Sequence, residues 1–129
     1  MEPMLLCAGE ALIDMLPRRS RSDEACFAPH PGGAVFNTAV AAARLGVPTA
    51  FFSGLSTDLF GRQLEGALRA DGIDGRLVAR SGRPTTLAFV TLVDGQASYA
   101  FYDENTAGRL VGIADLPDLD ADIAAVFSS

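Results

Sequence analysis

Two neighbouring glycines, Gly32 and Gly33, stand directly before the apolar run AVFNTAVAAARL, and Asn37 falls in its first turn. Free backbone N–H groups at a helix start bind anionic or hydroxyl oxygens, and glycine lets a ligand come close to the main chain. Helical side chains tilt toward the N-terminus, so Asn37 offers its amide, donor and acceptor both, to the same spot. That mixture suits a polyhydroxylated ligand. The alternative is an ordinary helix entry, for which paired glycines are common. No Gly-Lys-Ser or Gly-Lys-Thr follows, so this is not a phosphate loop of the usual type, and it does not match a dinucleotide fingerprint.

A second candidate is Asp14, in GEALIDML, close beyond the first apolar run. Ligands of open α/β sheets sit outside the carboxyl ends of the strands, where a carboxylate can accept hydrogen bonds from sugar hydroxyls. A solvated loop acid is the competing reading, and Glu10 shares the stretch with nothing in the spacing to choose between them. His30, the single histidine, lies between two prolines without a partner at triad spacing, and is read as a loop histidine. Arg18, Arg19 and Arg21 are followed at once by Asp23 and Glu24, the pattern of a solvated loop. No ligand cluster supports a metal site.

The elements that must position these groups follow from periodicity. Met4 to Gly9 is a short apolar run that fits a strand buried on both faces. Residues 16–31, rich in Pro, Arg and Ser, are expected to form a loop in which only 25–28 can pair as a strand. AVFNTAVAAARL carries Phe36, Ala39, Val40 and Ala43 at helical spacing and stops at Gly46 and Pro48. Thr49 to Ser53 supplies the next buried strand, giving a strand–helix–strand crossover with a long excursion before the helix.

Asp58 can cap a second helix with Phe60, Leu64, Ala67 and Leu68 on one stripe, ended by Gly72. Gly61 inside it implies a close contact. Between Pro84 and Tyr102 the period becomes two, and Asp94-Gly95 is a preferred pair for a tight turn. The hairpin sets Val90 opposite Tyr99, Ala88 opposite Phe101 and Thr86 opposite Asp103, and neither face is polar. Residues 118–125 are expected as a short helix, and 126–127 as the start of a buried strand cut off by the chain end. No repeat or linker divides the chain, so one incomplete domain is expected.

With 129 residues and 49% hydrophobic side chains, the chain can bury a core. A net charge of −6 gives no positive field for a nucleic acid or an anionic membrane. The start MEPMLLCAGEAL has an acid where a signal peptide needs a base, and Glu10 interrupts the apolar stretch. Cys7 and Cys26, each beside apolar residues, are expected as reduced core cysteines, and a cytoplasmic location follows.

Taken together, GGAVFNTAVAAARLG and FSGLSTDLFGRQL, with the GEALID strand ahead and the Asp-Gly hairpin behind, resemble the first signature of the ribokinase (PfkB) family of carbohydrate kinases. The resemblance covers essentially the whole chain, and AFYDENTAGR looks like bacterial fructokinases. It implies an α/β, ribokinase-like Rossmann-type fold: a mainly parallel sheet flanked by helices, a β-hairpin lid at about 84–103, and a C-terminal half that is absent. Residues 1–129 would be the N-terminal, sugar-binding portion.

By the same resemblance, Asp14, Gly33 and Asn37 hold sugar hydroxyls, Gly32 shapes the backbone beside them, and the lid brings Phe101 and Asp103 to the sugar. The lid also joins two subunits in many relatives. ATP and Mg²⁺, with a monovalent cation as an option, are the implied cofactors, bound mostly outside this chain. No Gly-Ala-Gly-Asp motif occurs, so catalytic residues are expected downstream of Ser129 and the fragment alone is expected to be inactive. Relatives acting on 2-keto-3-deoxygluconate place an arginine where Asp103 stands. An aspartate repels an acidic sugar, which favours a neutral hexose, fructose first. The alternatives are 2-keto-3-deoxygluconate kinase, ribokinase, or a non-catalytic sugar-binding module.

Overall fold

The structure is a computed structural model and describes residues 2–129. Strand β1 (Met4–Ala8) is central to a parallel three-stranded sheet, between β4 (Thr49–Phe52) and β9 (Ile123–Ser128). Leu6 and Cys7 point to opposite faces and are both buried, as a strand covered on two sides requires.

Helices α1 (Ala34–Arg44) and α2 (Leu59–Ala70) contribute to the larger core on the Cys7 side. There Phe36 meets Phe51 edge-to-face, with centroids 5.9 Å apart, and burying such a ring contributes about 1.5–3 kcal/mol. The opposite face carries a smaller cluster of Leu6, Ala50 and Phe52.

The excursion between β1 and α1 is a hairpin and not the expected loop. β2 (Leu12–Arg19) pairs antiparallel with β3 (Ala25–Gly32) along its whole length. Prolines argued against this, yet β3 is an edge strand, where a missing donor costs no ladder bond. Pro29 and Pro31 are two residues apart, so their backbone nitrogens both point to the open edge, away from β2. The outward Pro29 carbonyl accepts a bond from Gln63 Nε2 of α2 at 3.0 Å. Ile13 and Met15 of β2 belong to the core.

The second hairpin has the expected register: β7 (Leu87–Val93) and β8 (Gln96–Tyr102) set Val90 against Tyr99 and Ala88 against Phe101. Asp94 and Gly95 take φ of 51° and 79° at its turn. β2 runs parallel to β7, giving one four-stranded sheet in the order β3-β2-β7-β8.

A short parallel pair, β5 (Gly54–Ser56) with β6 (Ala79–Ser81), follows the central sheet. Gly61 of α2 lies so close to the Ser56 carbonyl that a side chain there would collide with it. Residues 118–125 are not helical. A 3-10 turn (Ile113–Asp115) and extended chain lead into β9, steered by Arg76, which pairs with Asp74, Asp120 and Asp122. β9 is a strand, but Val126 and Phe127 are exposed on the sheet edge and not buried. Cys7 is buried as expected. Cys26 is exposed, because β3 beyond Ala28 runs out past the core.

Candidate functional site

Asp14 sits within β2, not in a loop. His30 of β3 and Ala88 of β7 are its register partners, and Ala88 in turn faces Phe101 of β8. Residues in register share a face. His30, Asp14, Ala88 and Phe101 therefore form one row across the four-stranded sheet. The opposite face carries Ile13, Met15, Leu87 and Phe89, which pack on the core. Burial pushes the Asp14 carboxyl above the usual carboxylate range, His30 pulls it back, and Glu10 adds to the rise.

One residue row away lies the glycine pair. Gly32 opposes Leu12, and a β-carbon there would meet the Asp14 carboxylate, which would have to swing aside. Gly33 caps α1 with φ 104°, a conformation only glycine takes readily, and the helix has no side-chain cap. A β-carbon on Gly33 would lie 2.9 Å from the Glu10 carbonyl. Asn37 is exposed on the first turn, where its N–H bonds the Gly33 carbonyl at 2.9 Å. The α1 N-terminus, Asp14 and Glu10 are thus neighbours.

Beside them, at the carboxyl ends of β1 and β4, opens a cleft of about 460 Å³ whose walls include Gly9, Glu10, Ser53, Thr86, Phe101, Asp103 and Arg109. It takes in Phe101 and Asp103. Asp14, Gly32, Gly33 and Asn37 do not line it; they adjoin it through Glu10 and Leu12. Two clusters that the sequence joined into one site are therefore adjacent patches here. Phe101, 62% exposed, stacks on Tyr99 with centroids 6.2 Å apart.

Asp103 is tied down firmly. Its Oδ1 lies 2.8 Å from Thr86 Oγ1 and 3.0 Å from Thr106 Oγ1, and its Oδ2 lies 3.4 Å from Arg109 Nη1. Arg109 and Thr106 were not singled out as site residues, although both lie in the stretch AFYDENTAGR; they follow the hairpin in a turn whose return path periodicity does not reveal. Among the described residues, no three His, Cys, Asp or Glu side chains come together to hold a metal ion.

The chain thus combines an α/β unit, a cleft at the strand ends and a four-stranded sheet built from two hairpins. The family model for pfkB family carbohydrate kinases matches residues 2–112, and the chain belongs to that family. It is 57% identical over 123 residues to a fructokinase of Rhizobium leguminosarum bv. trifolii, covering 95% of this chain and 38% of the relative. Its fold is similar to the fructokinase of Xylella fastidiosa with bound ATP (TM-score 0.82, 35% identity, 91% of this chain and 38% of that one).

It is also similar to the fructokinase of Vibrio cholerae O395 in its fructose-, ADP- and calcium-bound form (TM-score 0.77, 28% identity, 91% and 37%). The chain thus spans little more than a third of the length of these proteins. Among the described residues, no helix is long and apolar enough to cross a membrane.

Proposed function

We propose that residues 1–129 form the sugar-holding portion of a cytoplasmic, ATP-dependent fructokinase, which transfers the γ-phosphoryl group of ATP to a fructose hydroxyl and releases ADP. The observation that carries this reading is the shared face of Asp14, Ala88 and Phe101, set beside the uncapped start of α1. The 57% identity to a fructokinase points to the same substrate.

On this reading the Asp14 carboxylate accepts hydrogen bonds from sugar hydroxyls, the Asn37 amide donates and accepts, and the Gly32-Gly33 backbone admits the sugar close to the helix. Phe101 covers an apolar face of the ring, and Asp103 borders the pocket. Closing the two-hairpin sheet over the sugar excludes water, the competing acceptor of the phosphoryl group. Mg²⁺ and a monovalent cation accompany the nucleotide. When bound, the metal neutralises developing phosphate charge, and no residue of this chain is assigned to holding it or to catalysis. The exposed hairpin β7–β8 joins two subunits.

Turnover of the full-length protein on fructose, ribose, adenosine and 2-keto-3-deoxygluconate tests the substrate. Fructose is expected to give the highest kcat/KM, and residues 1–129 alone are expected to show no phosphorylation. A preference for ribose or adenosine would overturn the assignment.

A further inference from the structure

Asp103 was expected to face the sugar as a lone negative charge, but it does not stand alone. Arg109 is its ion-pair partner and lines the same cleft. Both groups are rooted in Thr106, which is 2% exposed: its hydroxyl lies 3.0 Å from the Asp103 carboxylate and 3.2 Å from the Arg109 backbone N–H that donates to it. Thr106 thus anchors the Asp103 carboxylate and the Arg109 backbone, and the guanidinium reaches across to Asp103 from that root.

The Asp103 Oδ1 is taken by two threonine hydroxyls, while a single long contact of 3.4 Å engages Arg109, whose side chain remains 68% exposed. Most of its five N–H donors are free to meet a ligand. Arg109 also borders a neighbouring cavity of about 630 Å³ with Thr85, Tyr102 and Glu104, and it lines both spaces together with Phe101 and Asp103.

We infer that the Asp103–Arg109 pair sets the charge of the cleft, and that Arg109, masked by Asp103, is the residue that decides between neutral and acidic sugars. This rests on the sugar-kinase reading. The ionisable groups lining the cleft are Glu10, Asp103 and Arg109, so with the pair intact it carries a slight negative balance that favours a neutral polyol. Removing the Asp103 charge frees the guanidinium of its ion-pair partner, leaves Glu10 as the one acid lining the cleft, and exposes a planar group that matches a carboxylate in two-point fashion.

The test is calorimetric titration of the full-length protein with 2-keto-3-deoxygluconate and with fructose. Asp103→Asn is expected to bind the acidic sugar about tenfold more tightly than the natural chain does, with the gain shrinking at high salt. The double variant Asp103→Asn, Arg109→Gln is expected to lose that gain. Asp103→Ser, which keeps a hydroxyl for Thr86 and Thr106, replaces the asparagine variant should that fail to fold. No gain, or a gain that survives removal of Arg109, overturns the inference. The acidic-sugar arm does not depend on turnover: if fructose proves not to be a substrate while the gain appears, the assigned substrate falls and the charge-setting role stands.

Discussion

At the scale of single residues, Asp14 stands where stability and ligand binding pull apart. Its raised pKa, caused first by burial and then by Glu10 against the relief from His30, means the ionised form is disfavoured in the folded chain. A carboxyl raised on folding contributes stability that is present below its unfolded pKa and lost as pH rises through the folded value. Asp14→Asn is therefore expected to gain stability relative to the natural chain as pH increases from about 4 to 7, the region above an unfolded carboxyl's pKa. The same change is expected to weaken fructose binding. Urea unfolding at both pH values, alongside sugar titration, checks the two halves; a variant that gains nothing on the natural chain between about pH 4 and 7 contradicts the raised Asp14 pKa.

Asp58 behaves in the opposite sense. Burial alone would raise its pKa, but hydrogen bonds from the Thr85 hydroxyl, the Gly61 and Thr85 N–H groups and Ser56 outweigh it and hold the carboxyl low. Its contribution is present above the unfolded pKa and lost as pH falls through the folded one. Asp58→Ala is expected to cost about 1–2 kcal/mol at pH 7, the range for losing a helix cap. The deficit should shrink in acid, where the natural chain has lost the same interaction. Denaturant midpoints at the two pH values decide it.

Among elements, Gly61 makes the sharpest case. A β-carbon there would run into the Ser56 backbone, which cannot yield as a flexible side chain would. Gly61→Ala should raise intrinsic helix propensity, yet overpacking costs typically about 1–3 kcal/mol and is expected to win. A lowered midpoint of thermal unfolding, measured by circular dichroism, is the outcome that agrees.

Much of this layer was legible in the sequence, and for identifiable reasons. The helices at Ala34 and Leu59 and the Asp94-Gly95 hairpin carry local signals, periodicity, caps and a turn pair, which need no tertiary knowledge. The β2–β3 hairpin was missed because its prolines are tolerable only at an edge, and which strand is an edge is a global property. Residues 118–125 failed for a similar reason. Arg76, far away in sequence, fixes the acids at 120 and 122, and Ile123 is drawn into pairing with β1. In the candidate site, Asp14, the glycines and Asn37 were readable as types in place, whereas His30 acquired its meaning only from a cross-strand register.

For the molecule as a whole, Leu92, Val93, Tyr99, Phe101 and Tyr102 are all exposed on one hairpin whose second strand is a sheet edge. Such an edge is open to further pairing, which suits the proposed subunit contact. Replacing Leu92 and Val93 by aspartate is expected to shift the full-length protein toward monomer in sedimentation equilibrium, while an unchanged mass at micromolar concentration contradicts that contact.

The two hairpins meet along only three registered pairs, Ile13–Leu87, Asp14–Ala88 and Met15–Phe89. A pleated ladder repeats every two residues, so an offset of one there turns each side chain to the other face. Met15 would then take the face now shared by Asp14, Ala88 and Phe101, and Asp14 would turn into the core. Length changes at the Ser20–Glu24 or Asp94–Gly95 tips leave that seam untouched. A single residue inserted between Gly9 and Leu12, with no change in composition elsewhere, sets the frame of the whole seam at risk. This chain can therefore be lengthened at its outer ends, but at the junction the residue count is fixed.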